Sequence, residues 1–347
     1  MPLLRSAALL VACLCIVVSA CACRPHDAPS ATPDPHDAGR ARQNVAFVEA
    51  PSASASVALP APEPPFDPDD PAFKADPEDF QPKTPARPGD WLARFKQRNQ
   101  DFGEYVRSRP TTRTSVRRQI VIQPLGTFTD AERELLDKLR EYMSVFFDTP
   151  TRLAPPMALP DHGLRKHHDD GRSWTQYHTV TLMQEVLRPN LPADAVCYLG
   201  VTMSDLYPEE GWNYVFGQAT LEQRVGVYSL ARYFPAFWGE KDTPEARQRG
   251  LVRSFKVLAH ETGHMFSLEH CTRYECMMNG SNSLGEMDRA PGFLCPVCLK
   301  KLQWNLRFDV RARYGRLRDL YRREKIEPWA SWIDKRLRRI GPAPAPL

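Results

Sequence analysis

HETGHMFSLEHC, residues 260–271, is the stretch that decides the fold and the chemistry of this 347-residue chain. His260 and His264 stand four positions apart, so on a helix they lie one turn apart on one face and can bind one metal ion. His270 follows six positions later, far enough for the chain to leave the helix and return a third imidazole. Three neutral imidazoles leave the fourth tetrahedral position of zinc open, which indicates a catalytic rather than a structural site.

The residues before this stretch are compatible with a helix. Apolar side chains at positions 251, 252, 255, 258 and 259 predict a buried helix that runs from Ala246 to Leu268. Glu261 follows the first histidine directly, where its carboxylate can reach a water molecule at the metal without being a ligand. The competing interpretation, histidines with no shared role, requires this rare spacing to arise by chance.

Four cysteines follow the histidines closely: Cys271, Cys276, Cys295 and Cys298. Two close pairs separated by a loop are the usual frame for a tetrahedral zinc ion held by four thiolates. Two disulfides are the alternative if the chain enters an oxidising compartment, and a nucleic-acid-binding zinc ribbon is a third that nothing else in the chain supports. Cys197 lies in the apolar run AVCYLG and is expected to be a buried core thiol.

The whole pattern resembles the archaemetzincins, a subfamily of the metzincin zinc metallopeptidases. Their signature, HExxHxxGxxHC followed by CxM and CxxC, is matched by the histidines, Glu261, the four cysteines and Met278. Blocks at positions 200–208, 212–219 and 225–233 are also similar, so the resemblance covers roughly residues 119–303. It implies a zinc-dependent peptidase with two zinc ions per chain, a catalytic one at the histidines and a structural one at the cysteines.

Ser267 departs from that signature, which has glycine at this position. The glycine lets the helix end in a left-handed conformation, so that the third histidine turns back to the metal. A serine at positive φ costs on the order of 1 kcal/mol, whereas structural zinc ligation contributes roughly 10 kcal/mol or more. We therefore expect the turn to form, with activity as the property that the substitution places in question.

The mechanism that the resemblance implies is hydrolysis of peptide bonds. The metal lowers the pKa of a water molecule, and Glu261 accepts the water's proton as general base and passes it to the leaving amine. Met278 matches the methionine that forms an apolar floor beneath the catalytic imidazoles of metzincins. One alternative is a weakly active or inactive zinc-binding envelope protein that binds peptides. A cysteine-dependent hydrolase using Cys271 is disfavoured, because a metal-bound thiolate is occupied.

The N-terminus has the features of an export signal. One positive charge at Arg5 precedes an apolar run from Ala7 to Val18 that is too short for a membrane span with its flanks. Val18–Cys21 is similar to the lipobox of bacterial lipoproteins, which predicts a signal peptide of residues 1–20 and a lipid anchor on Cys21. Ordinary cleavage before Cys23 is the alternative. We expect an exported chain that is lipid-anchored to the bacterial cell envelope, or else secreted or periplasmic.

Proline dominates the composition after this signal. Fifteen of the chain's 33 prolines fall between Arg24 and Asp90. Because such a segment buries too little apolar surface to offset its ordering entropy, residues 21–90 are predicted to be a disordered tether. The catalytic domain then comprises residues 91–340, with an N-terminal subdomain at about 113–268 and a smaller helical C-terminal subdomain at about 269–340. Aromatic residues between Trp91 and Tyr105 indicate an amphipathic helix at its start.

The order of the remaining elements favours an α/β fold with a mainly parallel, twisted sheet. Strands are predicted at 119–126, near 151–153 and at 195–201, and Thr129 with Glu132 forms a capping-box pattern at a helix start. In metzincins an edge strand above the zinc pairs with extended substrate backbone. By position, Trp212 to Thr220 is the candidate edge substrate strand, and an ordinary core strand is the alternative.

Charge is unevenly spread along a chain whose net charge is only +4. Between Lys300 and Arg339, fourteen Lys and Arg residues face five Asp and Glu residues, a local balance of +9. An apolar helical stripe there favours a helix packed on the domain over contact with anionic lipid. We expect a peptide or protein substrate, a membrane partner through the anchor, no nucleic acid and a monomeric chain. Four further histidines are expected at the surface: His162, His167, His168 and His178.

Overall fold

Eight strands and ten α-helices make up the part of the chain that the computed structural model describes, residues 65–169, 171–220 and 223–342. The strands are β1 Gln119–Leu125, β2 Thr151–Leu153, β3 Leu164–Asp169, β4 Arg172–His178, β5 Ala195–Thr202, β6 Asp205–Tyr207, β7 Gly217–Ala219 and β8 Val225–Ser229. The helices are α1 Trp91–Arg94, α2 Phe102–Arg107, α3 Asp130–Phe147, α4 Thr179–Thr181, α5 Pro235–Trp238, α6 Pro244–Met265, α7 Leu284–Arg289, α8 Pro296–Leu306, α9 Val310–Arg323 and α10 Glu327–Ile340.

The central five-stranded sheet has the order β2–β1–β5–β8–β7. β2, β1, β5 and β8 pair in parallel, and β7 pairs antiparallel with β8 at one edge. The predicted α/β architecture with a mainly parallel sheet is confirmed. β5 is buried at every position, as expected for a parallel strand whose sheet is covered on both faces.

The side chains of β1 alternate between the two faces of this sheet and contribute to a separate apolar cluster on each face. Ile120 and Ile122 belong to the apolar cluster that contains α3 and α6. Val121 and Leu125 belong to a second cluster with the π-helical turn Leu182–Leu187 that continues α4. Because successive side chains of a strand point to opposite faces, these two sets place helices on both sides of the sheet.

A second, three-stranded sheet has the order β3–β4–β6, with β3 and β4 antiparallel. The sequence did not predict it, because β3 is largely exposed and lacks alternating apolar residues. A buried ion pair connects it to the turn after β8: Arg232 Nε and Nη2 donate to the two carboxylate oxygens of Asp205, at 2.7 and 2.6 Å. His162 and His168 are exposed, as predicted, whereas His167 and His178 are half-buried.

Residues 65–90 pack on the domain, although their composition assigned them to the tether. Ala72 and Phe80 are buried, and Phe80 packs edge-on against Trp332 of α10. Asp79 forms a fully buried ion pair with Arg336 of α10 at 2.9 Å. The tether prediction is therefore wrong for residues 65–90, because a few aromatic side chains and one buried charge pair fix the proline-rich chain. The predicted signal peptide, Cys21 and the rest of the tether lie outside the described residues.

The single amphipathic helix predicted between Trp91 and Tyr105 is also wrong. α1 ends at Arg94, an irregular link follows, and Asp101 starts α2 with a capping box to Glu104. A new N-cap in the middle of the stretch divides it, since a capping side chain competes for the backbone N–H groups that a continuous helix would use. Trp91 and Tyr105 are nevertheless buried, so the segment is held at both ends.

The basic C-terminal segment folds as α8, α9 and α10. The apolar stripe of α9 is buried at Val310, Tyr314, Leu317 and Tyr321. Several of its arginines form ion pairs with acidic residues: Arg316 with Asp148, Arg322 with Asp334, and Arg323 with Glu141. These contacts favour a helix packed on the domain. No helix in the described ranges combines the length and the apolar character that a membrane span requires.

Candidate metal centre

Helix α6 brings His260 and His264 together. Its start is fixed by Thr243, whose hydroxyl accepts a hydrogen bond from the Ala246 N–H at 3.2 Å, with Pro244 at the first helical position. The regular helix of 22 residues that follows places the two histidines one turn apart. Their Nε2 atoms lie 3.0 Å from each other.

The end of α6 returns the chain toward these histidines. Ser267 has φ +66°, and the Leu268 N–H donates to the Gly263 carbonyl at 3.0 Å while the Ser267 N–H donates to the His264 carbonyl at 2.7 Å. These two bonds define a Schellman ending. The expectation that serine takes the left-handed position is confirmed, and the Thr111 N–H donates to its Oγ at 3.3 Å, a contact that glycine could not make.

The hydrogen bonds of His260 and His264 fix their tautomers. Nδ1 of His260 lies 2.8 Å from the Met277 carbonyl, and Nδ1 of His264 lies 2.5 Å from the Leu268 carbonyl. A carbonyl oxygen only accepts, so both Nδ1 atoms carry the proton and both Nε2 atoms present a lone pair. The two Nε2 atoms at 3.0 Å therefore cannot bond to each other.

His270 completes the group. Its Nε2 atom is buried and has no hydrogen-bond partner, and one ligand nitrogen from each of the three histidines lies within 4.8 Å of the others. Three lone pairs that converge in a buried space repel one another unless a cation lies between them. The geometry and the donor set fit a zinc ion with three imidazole ligands.

Glu261 stands beside this group as a buried carboxylate with no partner. It is fully buried, and neither of its oxygens has a hydrogen-bond partner in the structure. Burial raises the pKa of its carboxyl to about 8. A carboxyl group left without hydrogen-bond partners next to three converging imidazoles is available to exchange a proton with a bound molecule.

Two adjacent methionines, Met277 and Met278, contact α6 close to its two histidines. Met277 supplies the carbonyl that orients His260. Met278 packs against the backbone of α6: a Cβ atom added to Gly263 would lie 2.6 Å from its sulfur. Position 263 therefore admits only glycine while Met278 keeps this place, and the methionine lies directly beneath the turn that holds both helical histidines.

The four cysteines form a second cluster, in which one sulfur of each residue lies within 4.8 Å of the others. The sulfurs of Cys271 and Cys295 are 3.7 Å apart, far beyond a disulfide bond of about 2.05 Å and close to the edge of a tetrahedron with zinc–sulfur bonds of about 2.3 Å. Burial raises the pKa of Cys276, so four thiolates here require a cation. All cysteines of the described residues are free, and Cys197 is buried as predicted.

Comparison with known proteins identifies the family. Residues 119–304 match the family model described as Peptidase family M54, a match that spans more than half of the chain. Archaemetzincin-2 of Homo sapiens is 34% identical over 274 residues, which cover 71% of this chain and 76% of that protein. Archaemetzincin-2 of Rattus norvegicus is 33% identical over 265 residues, which cover 69% of this chain and 74% of that protein. The chain belongs to peptidase family M54.

Membership makes this M54 peptidase a zinc metallopeptidase, and the resemblance to archaemetzincins that the sequence indicated is confirmed. The crystal structure of archaemetzincin from Methanopyrus kandleri is 30% identical to it, with a TM-score of 0.44, and the match covers 55% of this chain and 97% of that one. The three histidines and the four cysteines singled out in the sequence are brought together in two separate groups.

Two residues near the centre of this M54 peptidase were missed by the sequence analysis. Gln97 Oε1 lies 2.9 Å from His270 Nδ1, and the ring of Trp91 packs edge-on against the His270 imidazole with centroids 4.9 Å apart. Gln97 is 173 positions from His270 in an irregular link. No spacing pattern connects such distant residues, so no sequence signal was available for either.

A cavity opens beside His260 and Glu261. Its walls include the apolar side chains of Val257, Met287 and Pro291. Lys256 also borders it, but the Lys256 ammonium donates to three backbone carbonyls at the end of α7, at 2.6–3.1 Å. Its charge is thereby engaged by protein. Asn279 and Ser281 also line the cavity, so its apolar wall lies beside two polar side chains and the Glu261 carboxyl group.

Proposed function

We propose that this metallopeptidase hydrolyses peptide bonds with His260, His264 and His270 as the ligands of a catalytic zinc and Glu261 as the general base. The observation that supports this most directly is the convergence of three buried imidazole lone pairs beside an unpartnered buried carboxylate. Neither feature stabilises the apo fold, because each leaves polar atoms without partners. Both are expected of a site built to bind an ion and a reacting molecule.

A zinc ion held there would polarise the scissile carbonyl and lower the pKa of water. The protein's own part is to orient and to move protons. The carbonyls of Met277 and Leu268 hold two imidazoles in the tautomer that leaves Nε2 free. Glu261 takes the proton of the attacking water on its carboxylate and delivers it to the amine of the leaving peptide. Burial excludes bulk water, which would otherwise compete for that proton.

We further propose that a second zinc is held by Cys271, Cys276, Cys295 and Cys298, giving two zinc ions per chain. Backbone N–H groups support this assignment, since those of Cys295 and Met278 point at the Cys276 sulfur at 3.2 and 3.4 Å. His270 and Cys271 are neighbours in sequence but belong to different groups. The thiolate site would therefore hold the chain next to the third histidine, with Met278 as the floor of the catalytic site.

For substrate binding we propose the edge strand β7 together with the cavity beside Glu261. β7 is antiparallel to β8 and is the last strand of this sheet in the described residues, so an extended peptide would pair with its outer edge. Its three residues are buried, which the core-strand alternative also expects. The apolar walls at Val257 and Met287 suit an apolar substrate side chain. The division into an N-terminal subdomain, about 113–268, and a C-terminal one, about 269–340, on either side of the cleft belongs to the same proposal.

Export and anchoring through a lipidated Cys21 remain part of the proposal, as does a monomeric chain. Export and anchoring are supported by the sequence of the first 21 residues, which lie outside the described residues. An anchored peptidase of this kind would act on peptides or proteins at the bacterial envelope and would have no nucleic-acid partner.

The deciding experiment is a Glu261→Ala variant of the full chain, with its zinc counted and its cleavage of a peptide library measured. We expect two zinc ions per chain in both proteins and a loss of activity of about 10²–10⁴-fold or more, because a positioned general base contributes that much. Activity retained in the variant would refute the role of Glu261. A parent with two zinc ions but no cleavage would favour the inactive peptide-binding alternative.

A further inference from the structure

We propose that Gln97 is a positioning residue for the catalytic zinc: its side-chain oxygen holds the third histidine, His270, in the tautomer and orientation that present Nε2 to the metal. This inference rests on the proposed function, because it presupposes zinc at the three histidines. It assigns a role at the metal to a segment that precedes the family-matched residues 119–304. Gln97 itself is not among the residues that line the cavity beside Glu261.

The orientation of the Gln97 amide follows from its two partners. The same atom of Gln97 lies 2.8 Å from the indole Nε1 of Trp91 and 2.9 Å from Nδ1 of His270. An indole nitrogen is only a donor, so the shared atom is the amide oxygen and not the NH₂ group. Nδ1 of His270 is therefore the donor in the second bond. The proton on Nδ1 leaves the lone pair on Nε2, the atom that faces the other two histidines.

His270 differs from its two companions in how it is held. His260 and His264 donate to backbone carbonyls within the family-matched region. Among the three histidines, His270 alone has its Nδ1 bonded to a side chain. Acceptors on the non-ligating nitrogen typically change metal affinity by about 10–100-fold when they are removed. Because the acceptor for His270 is a side chain, a point substitution at Gln97 can remove it.

The segment that carries Gln97, residues 91–100, is held in place by contacts with α7, α8 and the turn at Ser267. The Trp91 N–H donates to the Glu286 carboxylate of α7 at 3.0 Å, and the Trp91 ring packs so closely on Gly280 that a Cβ atom there would lie 2.6 Å away. On the other side, the Lys301 ammonium donates to the Gln100 carbonyl at 2.5 Å, and Gln100 Nε2 donates to the Ser267 carbonyl at 3.2 Å. Gln97 is thus held between two anchored neighbours.

The test is the zinc affinity of the full chain and its Gln97→Leu variant, measured as zinc retained against increasing chelator. A His264→Gln variant, which lacks one ligand, identifies the step of the titration that belongs to the three histidines. We expect Gln97→Leu to weaken that step about 10–100-fold and to leave the four-cysteine step unchanged. Gln97→Glu retains an acceptor for both N–H groups, so we expect its zinc affinity to fall by less than about 10-fold, below the range expected when the acceptor is lost.

A control comes from residues 65–90, the stretch that precedes the segment carrying Gln97. Lys83→Met removes an ion pair with Glu275 without touching His270, so it should leave the three-histidine step at the parent value. A Gln97→Leu protein that is folded by circular dichroism and binds zinc as tightly as the parent would overturn the inference. A parent that binds no zinc at the three histidines would instead refute the proposed function.

A second measurement covers the case in which Gln97→Leu does not fold. The tautomer of His270 in the zinc-loaded parent can be read from its ring nitrogens by ¹⁵N NMR. The inference requires a proton on Nδ1 and none on Nε2. A proton on Nε2 would overturn it, whatever the behaviour of the variant.

Discussion

The left-handed backbone of Ser267 decides where the third histidine points. We expect Ser267→Gly to change the free energy of unfolding by less than about 1 kcal/mol, because relief at positive φ is offset by the entropy of glycine in the unfolded chain and by the lost Thr111 contact. Ser267→Val should lower it by about 2 kcal/mol, since a β-branched residue does not fit this conformation. Urea denaturation measures both, and equal stability of the two variants would contradict the expectation.

The buried imidazoles give the protein a pH dependence of known sign. Burial lowers the pKa of His260 from 6.5 to about 4, and those of His264 and His270 well below 6.5. Below pH 6.5 the unfolded chain binds protons that the folded chain does not, so the free energy of unfolding falls as pH drops from 6.5 toward 4. Bound zinc adds to this fall in the free energy of unfolding as pH drops, because zinc binding requires neutral imidazoles.

We expect a slope of up to about 1.4 kcal/mol per pH unit for each histidine. The raised pKa of Glu261 offsets the contribution of about one histidine, because above pH 4.5 the folded chain keeps a proton that the unfolded chain releases. Urea denaturation at pH 7, 6 and 5, at one ionic strength, measures it. A free energy of unfolding that stays constant over this range would show that the histidines are not buried as neutral groups.

At the scale of elements, the ion pair between Asp205 and Arg232 joins the three-stranded sheet to the end of β8. Both side chains are at most 3% exposed, and the Asp205 carboxylate also accepts from Trp174 Nε1 and Gln176 Nε2. Asp205→Asn leaves a buried guanidinium without its counter-charge, so we expect the free energy of unfolding to fall by about 3–5 kcal/mol.

The control is Asp242→Asn, which breaks an exposed pair with Arg247 and should cost less than about 1 kcal/mol. Thermal or urea unfolding of the two variants measures the difference. Equal losses would mean that the buried pair does not hold the two sheets together.

Elements with a strong apolar period could be predicted from sequence, and those without one could not. β5, α6 and the capped start of α3 each combine a regular pattern with a recognisable end. β3 is largely exposed, so its sequence shows no alternation of apolar and polar residues that would predict a strand. Gln97 was out of reach for another reason: its role depends on a single contact between distant residues. The ligand sets were visible because metal coordination constrains residue types at fixed spacings.

At the scale of the whole molecule, the proposed lipid anchor on Cys21 would set the position of the domain in the cell. We expect Cys21→Ser to move the protein from the detergent phase to the aqueous phase in a detergent partition experiment, because the acylated thiol is lost. Cys23→Ser is the matched control and should stay with detergent. Parent protein found in the aqueous phase would favour ordinary cleavage and secretion.

The folded chain closes on itself over very long distances. Gln97 and His270 are 173 residues apart, and Asp79 and Arg336 are 257 apart. A ribosome releases Gln97 and Asp79 long before their partners exist, so Gln97 has no His270 to bind, and Asp79 no Arg336, until those later residues are made. We expect a half-made chain to lack both a supported third histidine and a finished thiolate cluster. Copies that end before His270 would therefore carry no complete set of zinc ligands, and the proposed activity would begin only after this part of the chain is made.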